Sequence, residues 1–277
     1  MYIPRTWTKA TGSARHPRSG EMPVAAWGFG EDAATAGTEA ASRLKRLVER
    51  ITRGEPFPDR YTYGAGRPPR EEILRVIGDE QQPAAVITRN SYGAQVLNTA
   101  RVLFLDIDVP APTLLDRLLG MIGRKGAPQA VLDALREKLR AAGGTFRIYA
   151  TARGYRVMAI DREYDPAGAD AQQLMAATGT DPNFIKLCRA QKSFRARLTP
   201  KPWRCGVRAK PPEYPRETPS ADVAFRQWLE EYERAGRGFA TCRFVEVVGS
   251  GSPRGVARDV VDLHDRATRA SEKLPLA

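Results

Sequence analysis

Apolar and polar positions along the chain change period several times, and each change predicts an element. Between residues 32 and 53, Leu44, Leu47, Val48 and Ile51 recur at three to four positions, the spacing of one helix face, and Gly54 follows as a stop. Ahead of it, residues 1–30 are polar, aperiodic and interrupted by proline and glycine, which predicts an irregular arm with Trp7 and Trp27 docking parts of it. Pro69 to Gly78 has proline and acids before Ile73, Leu74, Val76 and Ile77 and glycine after them. That polarity of signals predicts a short helix.

Beyond Pro83 the pattern becomes that of strands. Residues 84–89 and 94–97 are separated by the turn-forming Asn90-Ser91-Tyr92-Gly93, and residues 102–109 form an apolar run interrupted only by Asp106 and Asp108. This last strand is expected to be central and buried. Residues 111–142 predict two helices broken around Gly123 to Gly126, the second carrying Val131, Leu132, Leu135 and Leu139 on one face. Two alternating runs, 146–151 and 155–160, meet at Ala152-Arg153-Gly154 and predict a tight hairpin.

Residues 167–191 predict helix with a break at Gly179 to Pro182, followed by a short strand at 194–198 with Arg195 and Arg197 on one face. A helix from Ser220 to Ala235, a strand from Phe239 to Val248 and a helix at about 256–272 complete the chain. The organisation expected is an N-terminal arm and helical segment (1–80), an α+β core (81–212) and a C-terminal helix-strand-helix region packed on it (213–277). The fold class is α+β, with a mainly antiparallel core sheet flanked by helices.

Composition narrows the function classes. With 277 residues, 42% of them hydrophobic, the chain can bury a substantial core. No stretch approaches the ~20 apolar residues of a membrane span, and the first thirty residues hold no signal-type apolar run, so a cytoplasmic protein is expected. Cys188, Cys205 and Cys242 are odd in number and widely spaced, and the histidines are only His16 and His264. A disulfide framework or a His/Cys zinc site is therefore not indicated, and any metal would fall to carboxylates.

The net charge of +12 favours polyanionic partners. Its distribution sharpens this. Lys186 to Lys210 contains nine basic residues (Lys186, Arg189, Lys192, Arg195, Arg197, Lys201, Arg204, Arg208 and Lys210) and no acid, with Phe194 and Trp203 among them. Aromatic faces beside guanidinium forks suit base stacking and phosphate contact. Arg89, in the turn after the first predicted strand, is a further candidate phosphate contact.

Asp106 and Asp108 stand at i and i+2 on a strand, so both carboxylates leave one face, about 6–7 Å apart at the backbone, and can share a cation. Two such charges need a metal or arginines such as Arg153, Arg156 or Arg195 for compensation.

Leu103-Phe104-Leu105-Asp106-Ile107-Asp108 resembles the hhhDhD strand of the archaeo-eukaryotic primases, the primase-polymerase family. Tyr149-Ala150-Thr151-Ala152-Arg153-Gly154-Tyr155-Arg156-Val157 is similar to that family's Y-S-S-G-R-G-h-H-h segment at its Tyr, Arg and Gly, with Arg156 at the histidine position. The likeness spans about residues 84–200, and the family's third aspartate has no counterpart by sequence.

The resemblance implies a primase-polymerase-like core and a nucleotidyltransferase, or a diverged relative that binds nucleotide or nucleic acid. Asp106 and Asp108 would hold Mg2+ or Mn2+. Thr151, Arg153 and Arg156 would meet the triphosphate, and Arg89, Arg195, Arg197, Lys201, Trp203 and Arg204 the nucleic acid. A non-enzymatic nucleic-acid-binding protein is the alternative. A second alternative is a haloacid-dehalogenase-like phosphatase, which the aspartate strand and Ile148-Tyr149-Ala150-Thr151 also resemble, with Asp106 as nucleophile and Lys186 as its lysine.

Overall fold

A computed structural model describes residues 1–56, 68–109 and 127–277. The first of the two helices expected within 111–142, and Pro110, lie outside these residues. The architecture is α+β, with antiparallel sheets flanked by helices, as expected.

The largest departure from expectation is at the N-terminus. Residues 1–30 are not an irregular arm: β1 (Thr6–His16) and β2 (Gly20–Gly30) form a long antiparallel hairpin pairing Thr6 with Gly30 through to His16 with Gly20. β1 is mostly Thr, Ala, Gly, Ser and charged residues, and in β2 the large apolar residues fall on both faces, Met22 and Val24 on one and Trp27 and Phe29 on the other, so no clean alternation shows. The turn was nonetheless marked by Pro17 and by Gly20 at φ 76°, with the His16 imidazole accepting from the Arg18 and Ser19 amides. Helix α1 (Ala33–Thr52), capped by the Asp32 carboxylate at Thr35 N–H, lies across the hairpin. Its buried residues include Ala36 and Ala40, and the approach is so close that a Cβ on Gly28 would sit 2.1 Å from the Ala40 nitrogen.

A second departure follows. Residues 69–78 are not helical; β3 (Glu72–Gly78) pairs along β4 (Pro83–Arg89). Ile73, Val76 and Ile77 are β-branched, and tertiary pairing outweighed the proline and acids that imitate a helix start. β5 (Gln95–Thr99) continues this sheet, which runs β3-β4-β5-β9 with β9 at Phe194–Arg197.

The second sheet runs β10-β7-β8-β6, where β6 is Phe104–Asp108, β7 Phe146–Thr151, β8 Gly154–Ala159 and β10 Cys242–Val248. The β7–β8 hairpin is as expected. β6 is not central in its sheet but an edge strand, pairing only with β8 among the described residues. Its apolar side chains Phe104, Leu105 and Ile107 are buried, whereas Asp106 and Asp108 face out. Its far side is met by the Asp181 amide, which donates to Asp106 O at 3.2 Å.

Helices close the core. α2 (Ala127–Ala142) buries Leu132, Leu135 and Leu139, and α3 (Ala169–Thr178) packs against it and against β6. α4 (Pro182–Gln191) starts behind the Asp181 cap, and α5 (Pro219–Gly236) stacks Phe225, Trp228 and Tyr232 along one face. α6 (Val256–Thr268) touches both β4 and β10, so it spans the two sheets and buries His264 completely.

Candidate functional site

The two sheets meet where β6 runs beside β9, and the carboxylates and the basic segment come together at that seam. Register places Asp106 opposite Arg156 and Asp108 opposite Gly154 on β8. A Cβ on Gly154 would lie 1.9 Å from Ile107 O, so only glycine lets β6 approach at this level. Beside Asp106 a cavity of about 310 Å3 is lined by Arg156, Arg195 and Arg197 together with Asn90, Ser91 and Tyr92.

After β9 the chain passes through Thr199 and Pro200 into a single 3-10 turn, Pro202–Arg204. Tyr232 on α5 fixes this passage by donating to Pro200 O at 2.6 Å, and Trp228 Nε1 donates to Ala209 O at 2.8 Å. Trp203 is thereby left 53% exposed, edge-on to Tyr92 with ring centroids 5.3 Å apart, and Lys201 Nζ lies 5.5 Å from its ring centre.

Among the described residues, neither Asp106 nor Asp108 makes an ion pair or a side-chain hydrogen bond, and the side chains of Arg153, Lys201 and Arg204 make none either. Arg197 Nε is buried without a partner. Each set crowds its own sign. Burial, then Asp106 and Asp181, raise the Asp108 pKa, against the pull of Lys201 and Arg153. Burial, then Arg197 and Arg204, lower that of Lys201, and burial, then Arg197 and Arg153, lower that of Arg204. Such an arrangement can take a cation at the carboxylates and a polyanion at the basic side chains, because each relieves repulsion within one set.

Arg156 is placed differently from a free anion contact. It is 6% exposed, and its Nη1 donates to Arg197 O at 2.9 Å and to His264 Nε2 at 3.1 Å. Burial lowers its pKa, although Asp106 lies near. Thr151, half-buried, accepts from the Arg153 amide at 3.4 Å, and Arg153 itself is exposed at the hairpin tip.

Two members of the basic segment are spent on the core. Arg195 is not a free backbone contact: its Nη2 donates to both oxygens of Glu71, at 2.7 and 2.9 Å, with the two side chains 10% and 7% exposed. Phe194 is wholly buried and cannot stack a base. Arg89 is likewise buried, donating to Gly93 O at 2.9 Å, and it lines a different, larger cavity. Sequence reasoning missed Tyr92 and Asp181. The Asp181-Pro182 step is a helix-start signal that fixes Asp181 near β6, but only folding brings the two together.

Among the described residues no group of three or more His, Cys, Asp or Glu side chains is arranged to hold a metal ion, so a cation at this seam would rest on the Asp106–Asp108 pair. Among them, too, no helix is long and apolar enough to cross a membrane. Compared with protein-family models, with curated proteins and with solved structures, the chain has no significant match.

Proposed function

We propose that the chain is a primase-polymerase-like nucleotidyltransferase, or a diverged relative that binds nucleotide and nucleic acid, with Mg2+ or Mn2+ held by Asp106 and Asp108. One observation carries this reading: two unpaired carboxylates on β6 face unpaired Arg197, Lys201 and Arg204 across the seam, beside the exposed Trp203. The metal, when bound, supplies charge neutralisation and polarisation at phosphate oxygens. Lys201 and Arg204 neutralise the remaining phosphate charge, Arg197 orients it from the cavity wall, and Trp203 with Tyr92 offers a face on which a base stacks.

Calorimetry of dATP and ATP in Mn2+, on wild type and on Asp106→Ala/Asp108→Ala, tests the site. Binding that needs both metal and carboxylates supports it, and primer extension then separates catalysis from binding. Absence of binding by folded wild type overturns it.

A non-enzymatic nucleic-acid-binding protein is the second reading. The observation favouring it is Arg156, which stands at the family's histidine position yet is buried against Arg197 O and His264. It predicts nucleic-acid affinity indifferent to metal and to Asp106→Asn. The phosphatase reading has less support, because Thr151 leads into the β7–β8 hairpin and not into a helix.

A further inference from the structure

A second cavity, of about 590 Å3, lies outside the carboxylate site, between the N-terminal hairpin and the core. It opens beside the smaller cavity, for Pro69, Glu71, Asn90 and Ser91 line both. Its walls combine aromatic faces, Trp7, Trp27 and Tyr214, with four guanidinium groups, Arg43, Arg70, Arg89 and Arg216.

Arg89 is the group that calls for a ligand. It is 8% exposed and in no ion pair among the described residues; Nη1 donates to Gly93 O, and Nε has no acceptor. Trp7 Nε1, in the same wall, is also buried without an acceptor. An unpaired buried cation is costly, and burial does lower this guanidinium's pKa. The other three arginines are engaged: Arg43 with Glu39, Arg216 with Glu72 and Asp222, and Arg70 with Glu213, whose side chain is 77% exposed. The Arg70 guanidinium lies 4.6 Å from the Trp27 ring centre, a stacked cation–indole platform of the kind on which bases lie.

We infer that this cavity is a second nucleotide subsite, in which Arg89 takes a backbone phosphate and the Trp27–Arg70 platform a base of a single-stranded nucleic acid that continues past Asn90 and Ser91 from the carboxylate site. The inference rests on the nucleic-acid part of the proposed function and deepens it. It gives the strand a direction across the protein, away from Asp106 and under the β1–β2 hairpin. Donors without acceptors match a phosphate, which only accepts, and the aromatic and guanidinium walls tolerate any base.

The test is fluorescence anisotropy of the full chain with labelled oligothymidylates of about 4 and about 16 nucleotides, on wild type, Arg89→Gln and Arg70→Ala. Mn2+–dATP calorimetry and competition by thymidine monophosphate accompany it. Wild type is expected to bind the long oligonucleotide roughly tenfold more tightly than the short one; Arg89→Gln loses that gain together with about one phosphate's share of the salt dependence, and Arg70→Ala, which removes the base platform, loses most of the gain. Both variants keep wild-type dATP binding.

A length gain and salt slope unchanged in both variants overturn the subsite and leave the carboxylate site standing. Loss of dATP binding in wild type, with Arg89-dependent oligonucleotide binding retained, overturns the proposed metal site and supports the subsite. Monophosphate competition with no length gain overturns the strand and assigns the cavity to a free phosphate compound. Should Arg89→Gln fail to fold, Arg70→Ala decides, its side chain being partly exposed.

Discussion

Arg156 Nη1 lies 3.1 Å from His264 Nε2, directly behind the strand position that opposes Asp106. An arginine only donates, so Nε2 must accept, and the neutral ring's proton sits on Nδ1, 3.0 Å from the Asp265 carboxylate. Burial pushes the His264 pKa down to about 4, with Asp265 opposing and Arg156 reinforcing the shift. The unfolded chain therefore binds the proton more readily than the fold between pH ~6.5 and about 4, and stability falls as pH drops through that window. The loss is on the order of 3 kcal/mol. Urea titrations at pH 7 and pH 4.5 should show it, and His264→Gln should flatten the slope there.

The carboxylate pair should carry a cost in stability. Burial and the neighbouring Asp106 and Asp181 raise the Asp108 pKa, so its charge is held at a cost that the unfolded chain does not bear. In chelator, Asp108→Asn should stabilise the chain by less than about 1 kcal/mol, since the group is solvent-exposed. Mn2+ should raise the melting temperature of wild type and leave that of the variant unmoved.

The basic segment should divide in two. Arg195→Ala leaves Glu71 buried without its partner and is expected to cost about 3–5 kcal/mol by chemical denaturation. Lys201→Ala and Arg204→Ala break no ion pair, so stability should stay within about 0.5 kcal/mol while the salt dependence of oligonucleotide binding drops by roughly one phosphate each. A reversal of these two behaviours would place the binding surface elsewhere.

Gly154→Ala tests the seam itself. The added methyl would meet Ile107 O at 1.9 Å, on backbone that cannot rotate away. Loss of several kcal/mol of stability is expected. If the variant folds, metal-dependent nucleotide binding should weaken more than binding of the long oligonucleotide, because Asp108 pairs with residue 154.

Long, periodic elements were legible from sequence: α1, α2, α5 and the β7–β8 hairpin stand where apolar spacing puts them. The β1–β2 hairpin was not, because Thr, Ala and Gly pack against α1 by closeness and leave no hydrophobic alternation. β3 was misread because its proline and acids imitate a helix start, and pairing with β4 outweighed them. Asp106, Asp108, Lys201, Trp203 and Arg204, singled out from sequence as candidates, lie at one seam in the fold. That Arg195 is consumed by Glu71, 124 positions earlier, and that Asp181 stands beside β6, depend on long-range packing that no local pattern carries.

The carboxylates belong to one sheet and Arg197 to the other, and Phe104 of β6, Leu97 of β5 and Phe194 of β9 share one core cluster, so the span between the charged groups depends on how that shared interior is filled. A one-methylene change in that filling moves the acidic and basic halves apart or together without touching either. Under the proposed function the site is therefore adjustable from a distance: substitutions in the interior should retune which anion is accommodated, and variants selected for altered preference should accumulate there as readily as at the charged groups themselves.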